Sequence, residues 1–375
     1  MNVSSETYEY IETQDAWDSC LALLEREPIV AVDLEANSLY AYREQVCLIQ
    51  ISIPNNDYIV DPLADIDLTG FGRLLSNPAI EKVFHASEYD LMLLMRDYDW
   101  QLQNLFDTMW AARILGFKHM GLAWFLREFY GVELTKKYQK ANWGARPLLP
   151  ELLAYAQADT HHLLDLRHAL AERLEEAGRM KEALEIFEQQ CRVRLPDQEF
   201  TPDGFWSIRG ARTLAPQEQA VLKALYIFRD EESRRRNQPA FKVLNNEALV
   251  GMAAALPDTR EALSKVRGIG VRNLDRYGSR LLDIIRTSQS DPAPERPKRK
   301  KRPDPKAADR FEKLSQWRRD RAQARGVESD VILSRETMWD IARGNPNSID
   351  DLAQIPGIGP CRLDLHGEAI LDELD

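Results

Sequence analysis

The sequence predicts an α/β domain, a mixed sheet flanked by helices, followed by two small all-helical domains. Three observations predict it. Strand and helix signals intermingle up to about residue 195, with the strands clustered early. Beyond that point only helical patterns remain. The helical part then repeats itself in one register.

The strands expected in the first part are Ile29–Leu34, Val46–Ile53, Tyr58–Val60 and Lys82–Phe84, each apolar and rich in β-branched or aromatic residues. The expected helices are Asp15–Glu25, Ser87–Arg96, Thr108–Leu115, Gly121–Phe129 and Pro150–Leu174. The stretches Glu9 to Glu25 and Ala177 to Arg194 read as solvated amphipathic helices. Turn residues from Leu195-Pro196-Asp197 to Thr201-Pro202-Asp203-Gly204 mark a boundary. After it, Leu244 onward aligns with Leu333 onward without a gap. Glu247 meets Glu336, Ala253 meets Ala342, Leu263 meets Leu352, and Gly268-Ile269-Gly270 meets Gly357-Ile358-Gly359. Between the copies, Asp291 to Pro303 is rich in Pro, Lys and Arg and cannot pack a core, so it reads as a linker. The expected division is 1–195 for the α/β domain, 205–290 for the first helical copy, 291–308 for a basic Pro-rich linker and 309–375 for the second copy.

Composition sets bounds. A chain of 375 residues should hold more than one domain. The net charge of −11 does not exclude nucleic acid, because an acidic metal site and a basic binding face can share one chain. No apolar run reaches the roughly 18 residues of a membrane span, and Met1 to Thr13 does not read as a signal peptide. The cysteines, Cys20, Cys47, Cys191 and Cys361, lack zinc spacing and read as reduced thiols of a cytoplasmic protein.

Chemistry is carried by three segments. In Asp33-Leu34-Glu35, strand alternation points both acids to one face, and two carboxylates side by side call for a divalent metal between them. His85-Ala86-Ser87-Glu88-Tyr89-Asp90 places Asp90 in the first turns of a helix. Tyr155 and Asp159, four apart, share one helix face. Alone, each segment is unspecific: a helix-start acid, a half-buried aromatic or a solvated acid is common. Together they supply four carboxylates and a phenol from one domain.

This ordered set resembles the DEDD exonuclease superfamily, whose fold is like ribonuclease H, and within it the ribonuclease D family. Trp143-Gly144-Ala145-Arg146-Pro147-Leu148, Phe106-Asp107-Thr108 and Cys47-Leu48-Ile49-Gln50 are similar to further short signatures of that family. The two helical copies resemble HRDC domains. A His five residues before the last Asp would mark the histidine branch; Ala154 stands there, and Tyr155 gives the tyrosine pattern. Leu34 departs from the Thr of many members, and faces away from the acids.

The resemblance implies a 3′–5′ exoribonuclease that uses two divalent cations, Mg²⁺ or Mn²⁺, to trim tRNA precursors and other 3′-tailed structured RNAs to nucleoside 5′-monophosphates. It implies that Asp33 bridges both ions, that Glu35 and Asp159 complete the site of the attacking water, and that Asp90 holds the second ion. Tyr155 orients the water, since a phenol near pKa 10 is a poor base at neutral pH. Further expectations are a monomer and no membrane; Lys137 and Arg146 either reach a substrate phosphate or are simply solvated charge. The turns at Gly268 and Gly270, and at Gly357 and Gly359, either hold a phosphate or simply permit tight interhelical turns. His161, His162 and His85 are read as supporting residues rather than ligands. The basic cluster Arg296–Arg302 is open between an RNA clamp, a targeting signal and a soluble linker. The alternatives are a DNA-directed exonuclease and an RNA-binding protein with a silent nuclease domain.

Overall fold

The computed structural model describes residues 7–192, 195, 200–298 and 304–374. The basic cluster at 299–303 and the boundary residues 196–199 lie outside the described residues. Packing divides the chain into two units: Met1–Ala36, Val46–Leu195 and Lys301–Asp375 in one, Asn37–Gln45 and Pro196–Lys300 in the other. The second helical copy thus packs with the α/β domain.

The sheet has six strands, β1 (Tyr8–Ile11), β2 (Ile29–Ala36), β3 (Val46–Ile53), β4 (Asn56–Val60), β5 (Glu81–Phe84) and β6 (Leu105–Asp107), in the order β1-β4-β3-β2-β5-β6. β2–β3 and β3–β4 are antiparallel; β1–β4, β2–β5 and β5–β6 are parallel. The mixed sheet follows the expectation. β1 corrects the reading of Glu9 to Glu25 as one solvated helix. Tyr8–Ile11 pairs with β4, and helix α1 begins only at Gln14 (Gln14–Leu24), burying Trp17, Cys20 and Leu24. Four residues are too few to show a period, so only the sheet partner identifies this strand.

The helices that follow are α2 (Thr69–Ser76), α3 (Glu88–Tyr98), α4 (Thr108–Leu115), α5 (Leu122–Tyr130), α6 (Pro150–His161), α7 (Leu163–Glu176) and α8 (Met180–Gln190). The single helix expected over Pro150–Leu174 is two helices broken at His162. α6 packs on β2, β3 and β4, whereas α7 reaches β5. Ser52 of β3 bonds Thr160 of α6 (2.7 Å), and His161 Nδ1 lies 2.6 Å from Asp57 on β4.

The first helical copy comprises α9 (Pro216–Arg236), α10 (Ala240–Val243), α11 (Asn246–Ala255), α12 (Arg260–Ser264) and α13 (Val271–Ser288). The second comprises α14 (Pro305–Arg325), α15 (Ser329–Ile332), α16 (Arg335–Gly344), α17 (Ile349–Ala353) and α18 (Pro360–Leu374). Equivalent residues do the same work in both. Arg229 donates to the Leu244 carbonyl and Arg318 to that of Leu333. Asn245 and Ser334 cap α11 and α16; Thr259 and Ser348 cap α12 and α17. Gly268 and Gly357 both adopt positive φ, 89° and 86°, which a side chain disfavours.

The copies differ at the last helix. Gly270 opens α13 with nothing near its Cα hydrogens, and Val271 is 76% exposed. In the second copy Glu185 of α8 fills the equivalent place, accepting from the N–H groups of Cys361 (2.6 Å) and Arg362 (3.4 Å). The phosphate alternative for Gly357 and Gly359 is thereby corrected: the anion at that helix start is the chain's own. Arg362, buried, bonds Gln189, and Arg325 makes a two-pronged pair with Glu182 (2.9 and 2.6 Å). In the other unit, the Tyr42 hydroxyl donates to Asp230 (2.7 Å) and Lys242 lies over the Tyr40 ring (3.9 Å).

Glu182 is 3% exposed, so removing its carboxylate strands a largely covered guanidinium. Glu182→Ala should cost about 2 kcal/mol, reduced from the value for a fully buried pair because Arg325 keeps some water contact. Urea unfolding of the full chain reads it; an unchanged midpoint would show the pair to be incidental.

Candidate active site

Three elements bring the site together. β2 is central in the sheet, and its backbone pairs with β3 on one side and β5 on the other. Alternation along it points Asp33 and Glu35 to one face, while Leu34 is buried in the core on the other. α6 covers the face with the acids. Its Pro150 start fits the fixed φ of proline, and its four-residue spacing turns Tyr155 and Asp159 together. α3 brings Asp90 in its first turn, where the residue is 7% exposed.

The turn into α3 is built by Asp107. This fully buried residue caps α4 through the N–H groups of Met109 (2.9 Å) and Trp110 (3.1 Å). It also accepts from the N–H groups of Ala86 (3.2 Å) and Ser87 (2.8 Å) and from the Ser87 hydroxyl (2.9 Å). Ala86 sits at φ 64°, a left-handed conformation that a non-glycine residue adopts only when held. His85 Nδ1 lies 2.9 Å from the Thr108 hydroxyl, which donates to the Phe84 carbonyl. Burial pushes the His85 pKa down, so the ring stays neutral. Among the described residues, this network aims Asp90.

The four carboxylates feel one another. Burial, then Asp33, Asp159 and Asp90, push Glu35 up to about 10. Burial raises Asp33 as well. Burial followed by Asp33, Asp107 and Asp159 raises Asp90 far above the carboxylate range, and burial followed by Asp33 raises Asp159 likewise. No lysine or arginine among the described residues pairs with any of the four. Burial, then Asp159, Glu35 and Asp33, drive the Tyr155 phenol upward, so it remains protonated. Its ring packs against Tyr138 and Trp143, each 6.0 Å away.

The other buried acids are neutralised. Burial works to raise Asp61, but Arg146, Tyr10 and the Leu63 N–H overcome it and hold it below the usual range. Asp57 is lowered in the same way against burial by His161, Gln157 and Ser52. Arg146 departs from its expected phosphate contact. Its five N–H groups go to Asp61 twice (2.5 and 2.6 Å) and to the carbonyls of Trp143, Ala145 and Cys47, leaving no donor for a phosphate. Lys137 is exposed, its ammonium 3.0 Å from the Tyr138 hydroxyl.

Four hard oxygen donors, Asp90 buried and the other three half-buried, without a counter-charge, fit a divalent cation. They are not closed into a cage: among the described residues no three His, Cys, Asp or Glu side chains stand at metal-holding distance. Like charges with nothing between them repel, and a cation among them would offset that repulsion. Sequence reasoning assigned no role to Asp107 or to Gln50, which pairs with Asp33 across β3. Both stand in the short signatures Phe106-Asp107-Thr108 and Cys47-Leu48-Ile49-Gln50, which was the one signal available.

The sign of the pH effect follows. The folded-state carboxylate pKa values lie above the unfolded value of about 4. The cluster therefore lowers the stability of the metal-free protein as pH rises from there through neutrality. The Tm gain on adding Mn²⁺ should grow from pH 5 to pH 8. Asp33→Asn should raise the metal-free Tm at pH 8, by about 2–4 °C for each ~1 kcal/mol of repulsion relieved. A metal-free Tm that falls in the variant would contradict the electrostatic account.

Comparisons with known proteins identify the relatives of this chain. Residues 8–175 match the 3′–5′ exonuclease family model, and residues 218–285 and 307–374 match the HRDC domain. Ribonuclease D of Gluconacetobacter diazotrophicus is 31% identical over 307 residues, 80% of this chain and 77% of its own length. Ribonuclease D of Acidiphilium cryptum is 29% identical over 96% of this chain and 91% of its own. The crystal structure of Escherichia coli RNase D, an exoribonuclease involved in structured RNA processing, superposes with a TM-score of 0.68 at 26% identity, covering 98% of each chain. The exonuclease family depends on divalent metal. The chain belongs to the ribonuclease D family and is a 3′–5′ exoribonuclease whose α/β nuclease domain is followed by HRDC domains.

Proposed function

We propose that this exoribonuclease trims the 3′ ends of tRNA precursors and other small structured RNAs, one nucleoside 5′-monophosphate at a time, with two divalent cations. The observation that carries the reading is the convergence of Asp33, Glu35, Asp90 and Asp159, half-buried or buried and uncompensated, beside a protonated Tyr155. The structured-RNA substrate is supported by the likeness to the Escherichia coli enzyme over nearly the whole chain.

Asp33, Glu35 and Asp159 would hold one ion and Asp33 with Asp90 the other. When bound, the pair acidifies a water and neutralises charge on the departing oxygen. The chain's own residues do the rest. Tyr155, kept protonated, positions the water through its hydroxyl rather than taking its proton. The bond from water oxygen to phosphorus forms, the bond from phosphorus to the 3′ oxygen of the preceding nucleotide breaks, and that oxygen receives a proton. The phosphate leaves on the 5′ side of the released nucleoside. The exposed start of α13 and Lys137 are candidates for gripping RNA phosphates.

Purified protein incubated with a 3′-extended tRNA precursor should shorten it in Mg²⁺ or Mn²⁺ and not in chelator. Shortening of DNA alone would reject the RNA reading, and no shortening of either would reject the catalytic one. Asp33→Asn and Asp159→Asn should abolish hydrolysis while RNA binding, read by gel shift, persists. Tyr155→Phe should retain Mn²⁺ binding and slow turnover by about 100-fold, the scale of a lost orienting group. Full turnover in that variant would remove the phenol from the mechanism.

A further inference from the structure

Gln50 is completely buried, yet neither its amide nitrogen nor its amide oxygen has a hydrogen-bond partner in the protein. Buried amides are ordinarily satisfied, and an orphan costs stability. Its neighbours obey the rule. Ser52, two residues along β3 and therefore on the same face, bonds Asp57 and Thr160, and Gln157 donates to Asp57 at 2.7 Å. Among the described side-chain amides of that layer, Gln50 is the exception.

Its place is informative. Gln50 is the cross-strand partner of Asp33 in the antiparallel β2–β3 ladder. Directly opposed residues point to the same side of a sheet, with Cβ atoms about 4.5–5.5 Å apart, so the amide is within side-chain reach of the Asp33 carboxylate. The Ser52–Thr160 bond shows that this face of β3 lies under α6, which carries Tyr155 and Asp159. Asp33 accepts from the Leu34 backbone but from no side chain among the described residues.

We propose that Gln50 is a positioning residue for Asp33. With the acidic site loaded, the Gln50 Nε2 amide donates to one carboxylate oxygen of Asp33 and holds the other toward Glu35 and Asp159. The inference rests on the reading of Asp33 as a metal-holding residue. An amide suits the task because it is a donor without charge. It steadies an ionised acceptor and leaves the negative charge for the cation, whereas a lysine or arginine there would replace the metal.

The test is a thermal-shift titration of the full chain with Mn²⁺, beside the metal dependence of RNA shortening. Gln50→Met keeps the volume and removes the amide. It should leave the metal-free Tm unchanged or higher, and raise the Mn²⁺ concentration for half-maximal shift by about 10- to 100-fold, the usual effect of losing a residue that orients a ligand. The concentration for half-maximal activity should move in parallel. A half-saturation equal to that of the parent protein overturns the proposal, as does a lower metal-free Tm with metal binding unchanged, which would make Gln50 a packing residue. Gln50→Leu guards against a defect peculiar to methionine; failure of both variants to fold overturns the proposal too, because the amide would then serve the metal-free fold. Asp33→Asn separates this from the underlying reading. If that variant keeps the Mn²⁺ shift, Asp33 is no metal holder. If it loses the shift while Gln50→Met keeps it in full, only the role of Gln50 fails.

Discussion

Negative charge buried without a counter-ion is the constraint around which the nuclease domain is organised. Burial, and for Glu35, Asp90 and Asp159 the neighbouring carboxylates as well, raise the pKa of Asp33, Glu35, Asp90 and Asp159, and no lysine or arginine among the described residues relieves them. Such a cluster is a standing cost unless a cation occupies it. The surrounding acids are treated in the opposite way. Asp61 is saturated by Arg146 and Tyr10, Asp57 by His161, Gln157 and Ser52, and Asp107 by five donors from two adjoining turns. Acids that hold the scaffold are paired, and the four acids of the candidate site are left bare. That contrast separates the two classes within one layer of the fold.

The paired acids also fix the directions of the bare ones. Asp107 holds Ala86 in a left-handed conformation, and that kink starts α3 where Asp90 meets the cleft. The Asp61–Arg146 pair ties the loop before α6 to the sheet, and the contacts of Asp57 and Ser52 with Thr160 and His161 seat the end of that helix. Tyr155 and Asp159 lie between these two fixings. Rigid support of this kind keeps reactive groups within the narrow geometry that phosphoryl chemistry requires.

The two helical copies show one sequence pattern put to two uses. Their caps, their positive-φ glycines and their arginine-to-carbonyl bonds correspond residue for residue. In the second copy the last helix begins on the Glu185 carboxylate, inside the same unit as the nuclease domain. In the first copy the equivalent helix start is open and apolar at Val271. A helix N-terminus attracts an anion in either case; what differs is whether the chain supplies it.

Much of this was legible in the sequence because it depends on local periodicity. Period two placed Asp33 and Glu35 on one face, period four paired Tyr155 with Asp159, and an ungapped register disclosed the helical copies. Non-local pairing was not legible. Tyr8–Ile11 becomes a strand only because β4 lies beside it, and the break at His162 turns α7 toward β5 after α6 has covered β2, β3 and β4. Arg146 looked like a phosphate contact until Asp61, distant in sequence, took its guanidinium. Gln50 was one polar residue in an apolar run until the strand register set it beside Asp33. The sequence alone determined which acids share a strand face and which phenol and acid share a helix face, since residue type and spacing are local properties. The tertiary structure decided which charges are neutralised and which are left uncompensated, because that depends on partners far along the chain.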